Sequence, residues 1–274
     1  MVINSENPGA EFSFDAGSKF KFDCHGGLSC FGQCCRDINI FLTPFDVIRL
    51  KRKLNMSSAE FLKLYTEELK PPQLKFPVRY LKMNDDDQLK CPFLTSRGCA
   101  VYQERPWSCR MAPVDIAGPG KFRFSFNRAK CLGLNEDREW TVRSWMESQD
   151  MGVYDTVEAV FKEIPALVGF TGQEALDKRI VQLFSMVCYD IDTFRDFILR
   201  NKFLVREGGI DREVFQESLK DDVQLLKTGI QWLVNVSSNV KTLKKIDKIL
   251  LSRKSYGSGD RRQNTGDRIK PNAV

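Results

Sequence analysis

The chain has 274 residues, 42% hydrophobic and 28% charged, which are values of an ordinary folded protein and exclude general disorder. Its net charge of +6 is carried at one end: residues 241–274 hold ten Lys and Arg against three Asp, leaving the first 240 residues at −1. The body therefore has no basic surplus for nucleic acid, and a nucleic-acid role would rest on the tail alone. No apolar stretch approaches the ~20 residues of a membrane helix. The start, from Met1 to Pro8, shows no basic-then-apolar leader, so the expected setting is the cytoplasm, away from membranes.

In chain order, residues 1–13 are polar, contain Pro8-Gly9 and read as a flexible arm. Phe20 and Phe22 alternate with lysines in a short strand. Cys24 to Cys35 includes Gly26, Gly27 and Gly32 and reads as a loop able to fold tightly around a ligand. Ile38, Ile40 and Leu42 alternate as a strand does, and Thr43-Pro44 opens a helix. Ser57 to Glu60 is a capping box that starts a second helix, expected to run to about Leu69 before Pro71-Pro72. Val78 to Met83 and Leu89 flank the turn Asn84 to Asp87, which predicts a hairpin.

Phe122, Phe124 and Phe126 alternate with polar residues, so one face of that strand should be buried and aromatic. Beyond Cys131 the spacing turns helical: 139–149, 153–169, 173–200 and 211–234, with breaks at Pro165, Gly172 and Gly208-Gly209. From Ser252 the Ser, Gly and Arg composition reads as disordered. The expected fold class is α+β, with a small cysteine-rich domain over 14–135, an α-helical domain over 136–250 and a disordered basic tail over 251–274.

The nine cysteines are the informative residues. Eight of them (Cys24, Cys30, Cys34, Cys35, Cys91, Cys99, Cys109, Cys131) fall in the first 131 residues. In a reducing compartment they point to metal rather than to disulfides. Their spacing, C-x5-C-x3-C-C, then C-x7-C-x9-C and one more, is not that of a zinc ribbon. The adjacent pair Cys34-Cys35 suits two sites, or one ligand and one packing residue, because neighbouring side chains on an extended backbone face opposite ways. The ninth, Cys188, lies on an apolar helix face with Val181, Phe184 and Ile191 and reads as core.

This pattern, with Leu42-Thr-Pro-Phe-Asp46, Cys91-Pro-Phe-Leu94, Tyr102, Arg105-Pro106, Cys109-Arg110 and Pro113, resembles the zinc- or iron-chelating cysteine-cluster family, the YkgJ-like proteins. The resemblance covers about residues 20–135, although the family's first cysteines are usually closer together. It implies metal chelation, with either an iron–sulfur cluster or Zn2+ as the group held. Iron–sulfur is favoured, since the vicinal pair and irregular gaps suit cluster ligation. The cysteine pattern is also similar to that of flagellin lysine N-methylases, which makes a cluster-bearing protein methylase the alternative. No methyl-donor site is legible, and no particular protein partner or substrate.

Four thiolates on a dication leave a net −2, and Arg105 and Arg110, flanking Cys109, are candidates to offset that charge or donate to sulfur. His25, the sole histidine, adjoins Cys24 but is more simply a solvated loop residue. Asp46 has a sufficient explanation in the first turn of its helix. No phosphate loop, dinucleotide fingerprint or nucleophile elbow is present. One site drawing ligands from both cysteine groups would close a loop of about 55 residues between Cys35 and Cys91, an entropic cost that metal–thiolate bonding can offset.

Overall fold

A computed structural model describes residues 13–85 and 88–256, with the side chains of 253–256 left aside. Residues 1–12 of the arm expected over 1–13, Asp86-Asp87 and residues 257–274 of the basic tail lie outside the described residues. The architecture is α+β, with short strands early and helices late. The first half contains β1 (Lys19–Lys21), β2 (Phe41–Leu42), α1 (Pro44–Leu54), α2 (Ser58–Tyr65), β3 (Thr66–Leu69), β4 (Val78–Leu81), β5 (Leu94–Thr95), β6 (Gly98–Cys99), α3 (Trp107–Met111), β7 (Val114–Gly118) and β8 (Lys121–Phe124). After β9 (Glu139–Thr141) the chain is helical: α4 (Val142–Ser148), α5 (Met151–Leu167), α6 (Glu174–Cys188), α7 (Ile191–Arg200), α8 (Phe203–Glu207), α9 (Arg212–Ser218), α10 (Asp222–Ser237) and α11 (Val240–Tyr256). Among the described residues, no helix is long and apolar enough to cross a membrane.

Local chemistry explains the helix starts. Thr43 and Ser57 each close a capping box, with Asp46 and Glu60 as the reciprocal acceptors. Several expected boundaries move, each for a tertiary reason. The second helix stops at Tyr65 rather than near Leu69, because Thr66–Leu69 pairs antiparallel with β4. The turn expected across 84–87 includes Asp86 and Asp87, which lie outside the described residues; Asn84 N–H donates to the Lys90 carbonyl at 2.8 Å across it, while β4 pairs with β2 and β3 and Lys90 with Arg36. Residues 139–141, expected to be helical, form β9 against β1, and Thr141 then caps α4.

The long helix expected over 173–200 breaks between α6 and α7. There Asp190 and Asp192 turn out to accept from Ser58 at the start of α2. The helix expected over 211–234 divides at Asp221, whose carboxylate caps α10 by accepting from Val223 and Gln224. Pro165 sits in the last turn of α5, where it forfeits a single backbone bond, so that helix runs past it to Leu167. Likewise α11 continues to Tyr256, so residues 251–256 are helix rather than disordered tail.

Two apolar clusters organise the molecule. The larger joins Ile40, Phe45, Leu50, Phe61 and Phe93 to Tyr154, Phe184, Phe194, Trp232 and Leu243, so it runs through both halves of the sequence without a break at residue 135. The smaller holds Phe14, Phe20, Phe22, Met111, Phe122, Leu134 and Trp145. The aromatic face expected on β8 forms part of it: Phe122 is buried, and Phe124 packs on Phe14 and Phe20 at centroid distances of 4.9 and 5.7 Å.

Close packing in the helical part is tightest at Gly208. A Cβ there would lie 2.1 Å from Cδ1 of Trp232, whose ring is fully buried and bonded through Nε1 to the Leu204 carbonyl. Gly208→Ala is therefore expected to cost about 2–3 kcal/mol by overpacking. Urea unfolding would show it as a lowered midpoint, and an unchanged midpoint would mean that the indole can move aside.

Candidate metal centre

The loop after β1 is a chain of tight turns. Leu28 N–H donates to His25, Phe31 to Leu28 and Gln33 to Cys30. Gly32, at φ +77°, reverses the chain into a single 3-10 turn over Gln33–Cys35. With three residues per turn, successive side chains diverge by about 120°, so Cys34 and Cys35 separate even though the backbone is not extended as expected. The exit of the loop is fixed to the next cysteine segment: Cys91 N–H donates to the Cys35 carbonyl at 2.8 Å, and Asp37 N–H to Leu89 at 3.0 Å.

The β5–β6 hairpin brings Cys99 back beside Cys91, pairing it with Leu94, whose N–H donates to the Cys91 carbonyl. Cys109 lies on α3. Cys131 is delivered to the entrance of the loop by Gly133, where Asp23 N–H donates to the Gly133 carbonyl at 3.0 Å. A Cβ at Gly133 would lie 2.6 Å from the Asp23 carbonyl oxygen, so only glycine permits that approach.

These anchors bring the eight thiols near one another, Cys35, Cys91, Cys99 and Cys109 on one side and Cys24, Cys30, Cys34 and Cys131 on the other, with Cys34 also reaching Cys109. Cys35, Cys91, Cys99 and Cys109 all pack against the larger apolar cluster. Burial pushes Cys91 up to about 11, with Cys99 adding to it, and raises Cys109 further beside Cys91, Asp46 and Cys99. Cys35 is raised by donating to Cys34, by burial, and by Cys109 and Cys91. In the second group, burial and the neighbouring Cys34 and Cys30 push Cys24 to about 11, and burial with Cys30, Cys34 and Cys24 does the same to Cys131. Cys34 alone is lowered, by the hydrogen bond it accepts from Cys35. Among the described residues, no three Cys, His, Asp or Glu side chains already close on one point as ligands of a single ion.

The flanking arginines act differently from one another. Arg105 lies over the Tyr102 ring at 3.9 Å and donates to the Tyr102 carbonyl and to Gln149. Its charge still reaches Cys99, which it pulls down against burial. Arg110 donates to the backbone carbonyls of Arg105, Gln149 and Gln103, so its guanidinium is spent on holding the chain around α3. His25 is held by Gly27 N–H at Nδ1 and faces Glu136 through Nε2 at 3.7 Å. Cys188 is buried in α6, away from both groups.

The sequence reading missed the importance of Asp46. Fully buried, it caps α1 with one oxygen, while the other accepts from Trp107 N–H at 2.9 Å and Tyr154 O–H at 2.8 Å. It therefore ties the helix carrying Cys109 to α1 and α5. Its place in a capping box gave no hint of this, because such carboxylates are usually solvent-facing and Tyr154 is remote in sequence. Beside it, Glu158 accepts from Phe45 N–H, and burial moves it from its ordinary 4.5 to about 7. Asp46 adds to that rise, Lys162 opposes it, and Cys188 faces the same carboxyl from α6.

A carboxyl raised on folding binds its proton more tightly in the native state. Stability therefore falls as pH rises from about 4.5 to 7, by about 2–3 kcal/mol, and levels off above. Glu158→Gln should remove that slope and be the more stable protein at pH 8, as read by urea unfolding at several pH values. A slope that persists in the variant would assign it to other groups.

Eight free thiols gathered in the first half of the chain are a soft donor set, which fits zinc or iron–sulfur. Residues 23–140 match the CxxCxxCC family, described as "Putative zinc- or iron-chelating domain". The matched segment holds all eight of these cysteines. No curated protein and no solved structure matches the chain.

Proposed function

We propose that the protein binds metal in two four-thiolate centres joined by the Cys34–Cys35 peptide bond, each holding an iron–sulfur cluster. The observation that carries this reading is the division of the vicinal pair. Cys35 completes a quartet with Cys91, Cys99 and Cys109, and Cys34 completes one with Cys24, Cys30 and Cys131. The Cys24–Cys35 segment could supply a quartet by itself only by using both adjacent thiols, and the Cys91–Cys109 segment has only three cysteines.

The vicinal pair and the irregular gaps between the cysteines suit cluster ligation better than a lone zinc ion. The thiols lie near enough to feel one another's charge. Arg105 supplies positive charge beside the more buried quartet, offsetting the net −2 of a four-thiolate centre. When bound, such a group supplies electron-transfer chemistry.

Anaerobic purification, followed by iron, sulfide and zinc analysis and a visible spectrum, tests this directly. Iron with matching sulfide, in an amount for two clusters per chain, is expected. Cys188→Ser should retain that content in full, while Cys34→Ser and Cys109→Ser should each lose about half. Zinc without iron or sulfide would overturn the cluster assignment, and full retention in both ligand variants would overturn the two-centre arrangement.

A further inference from the structure

The two quartets differ in what surrounds them. In the first, Cys91 is buried and Cys35, Cys99 and Cys109 are half-buried, all packed against the main core. Its four ligands come from separately braced pieces of backbone. These are the 3-10 turn bonded to Cys91, the β5–β6 hairpin, and α3, which is tied down by Asp46 and by the three carbonyls that Arg110 holds. In the second, Cys24 and Cys34 are exposed and Cys30 and Cys131 half-buried. Three of its ligands ride on the glycine-rich loop, whose backbone bonds between Cys24 and Gln33 run only to other residues of that loop. A Cβ at Gly26 would meet nothing within 4 Å, so the turn after Cys24 faces open space, while Phe31 and Gly32 near the exit lie against Gly98 and Leu94 of the β5–β6 hairpin.

The entrance of that loop is already joined to the Cys131 segment without metal. β1 pairs with β9, Asp23 bonds Gly133, and Trp140 Nε1 donates to the Phe22 carbonyl at 2.8 Å. The approach of Cys24 to Cys131, the longest loop that metal at the outer quartet would close, is therefore already made by the backbone. At the inner quartet the segments it joins are two-residue strands and a five-residue helix, elements too short to be stable alone.

From these differences, and resting on the two-centre reading above, we propose a division of labour. The inner quartet (Cys35, Cys91, Cys99, Cys109) is a structural centre that holds the fold. The outer quartet (Cys24, Cys30, Cys34, Cys131) is a solvent-reachable centre whose metal exchanges with thiophilic or chelating molecules outside while the fold persists. The physical basis is access: exchange needs an incoming ligand to reach the metal, and the shell around a site governs that approach. It also needs the ligands to part, which a loop bonded only to itself does at lower cost than braced core segments.

The test uses anaerobic holoprotein in excess EDTA, with bound iron, zinc and sulfide measured over time alongside the thermal midpoint. Metal is expected to leave in two phases. About half should depart first, with the midpoint held within a few degrees, and the remainder later, together with unfolding. Cys131→Ser should lack the first phase and keep the midpoint, whereas Cys91→Ser should lower the midpoint sharply. Should Cys91→Ser not fold at all, Cys131→Ser and the wild-type time course still decide.

Release of all metal in one phase, loss of the fold with the first half, or an undiminished first phase in Cys131→Ser would overturn the assignment. Metal for only one centre in the starting protein would instead overturn the two-centre reading beneath it.

Discussion

Cys109→Ser is expected to lose about half of the bound metal and to lower stability by several kcal/mol, the largest effect of any single substitution considered. Cys109 feels the charge of Cys91 and Cys99, and of Cys34 beyond them. It also packs against the main core. Serine is a poor ligand for a soft metal, so the remaining three thiols would lose the charge that compensates them and the segments they tie together would part. Structural four-coordinate sites contribute about 10 kcal/mol or more to folding in small metal-dependent domains. The larger core here shares that load, which is why only part of it should be lost. At this chain length each kcal/mol moves the thermal midpoint by about 2–4 °C, so a fall of about 10 °C is expected in calorimetry. A variant that loses metal while keeping its midpoint would show that the inner site adds nothing to the fold.

Asp46→Ala is expected to cost about 3–5 kcal/mol, although Asp46 touches no metal. Three donors converge on its carboxylate in a fully buried place: Thr43 N–H at 2.9 Å, Trp107 N–H at 2.9 Å and Tyr154 O–H at 2.8 Å. Truncation leaves each without its partner and far from water, at about 1–3 kcal/mol for each buried group left unsatisfied. Part of that cost is recovered by relaxation and by relieving the carboxylate of its desolvation. Asp46→Asn keeps an oxygen to accept but must turn an amide toward one of the donors, so it should lose less than alanine. Thr43→Ala, which removes only the reciprocal half of the capping box, should cost about 1 kcal/mol. Urea unfolding would rank the three. Inner-site metal should fall in the same order, because the Trp107 N–H held by Asp46 starts the helix that carries Cys109. If alanine costs no more than the threonine variant, the carboxylate serves α1 alone.

What the sequence by itself determined was the chemistry and the local punctuation. Eight cysteines crowded into 131 residues specify a soft-metal donor set whatever the fold, because thiolates select few metals. The capping boxes at Thr43 and Ser57, the alternation around Phe122 and the apolar face carrying Cys188 are likewise local patterns, readable because each depends on residues within a few positions of one another. Tertiary structure decided how those pieces were used. Thr66–Leu69 became a strand because β4 lay beside it, and the helix through Asp190 broke because Ser58 offered its hydroxyl. A core continuous from Ile40 to Ile246 joined halves that composition alone would divide near residue 135. The setting of Cys35 beside Cys91 and Cys109, and the burial of Asp46 against Tyr154, likewise came from contacts between residues far apart in the chain. Spacing can require that adjacent thiols diverge, but which partners each one meets depends on how loops 50 to 100 residues apart are packed against a common core.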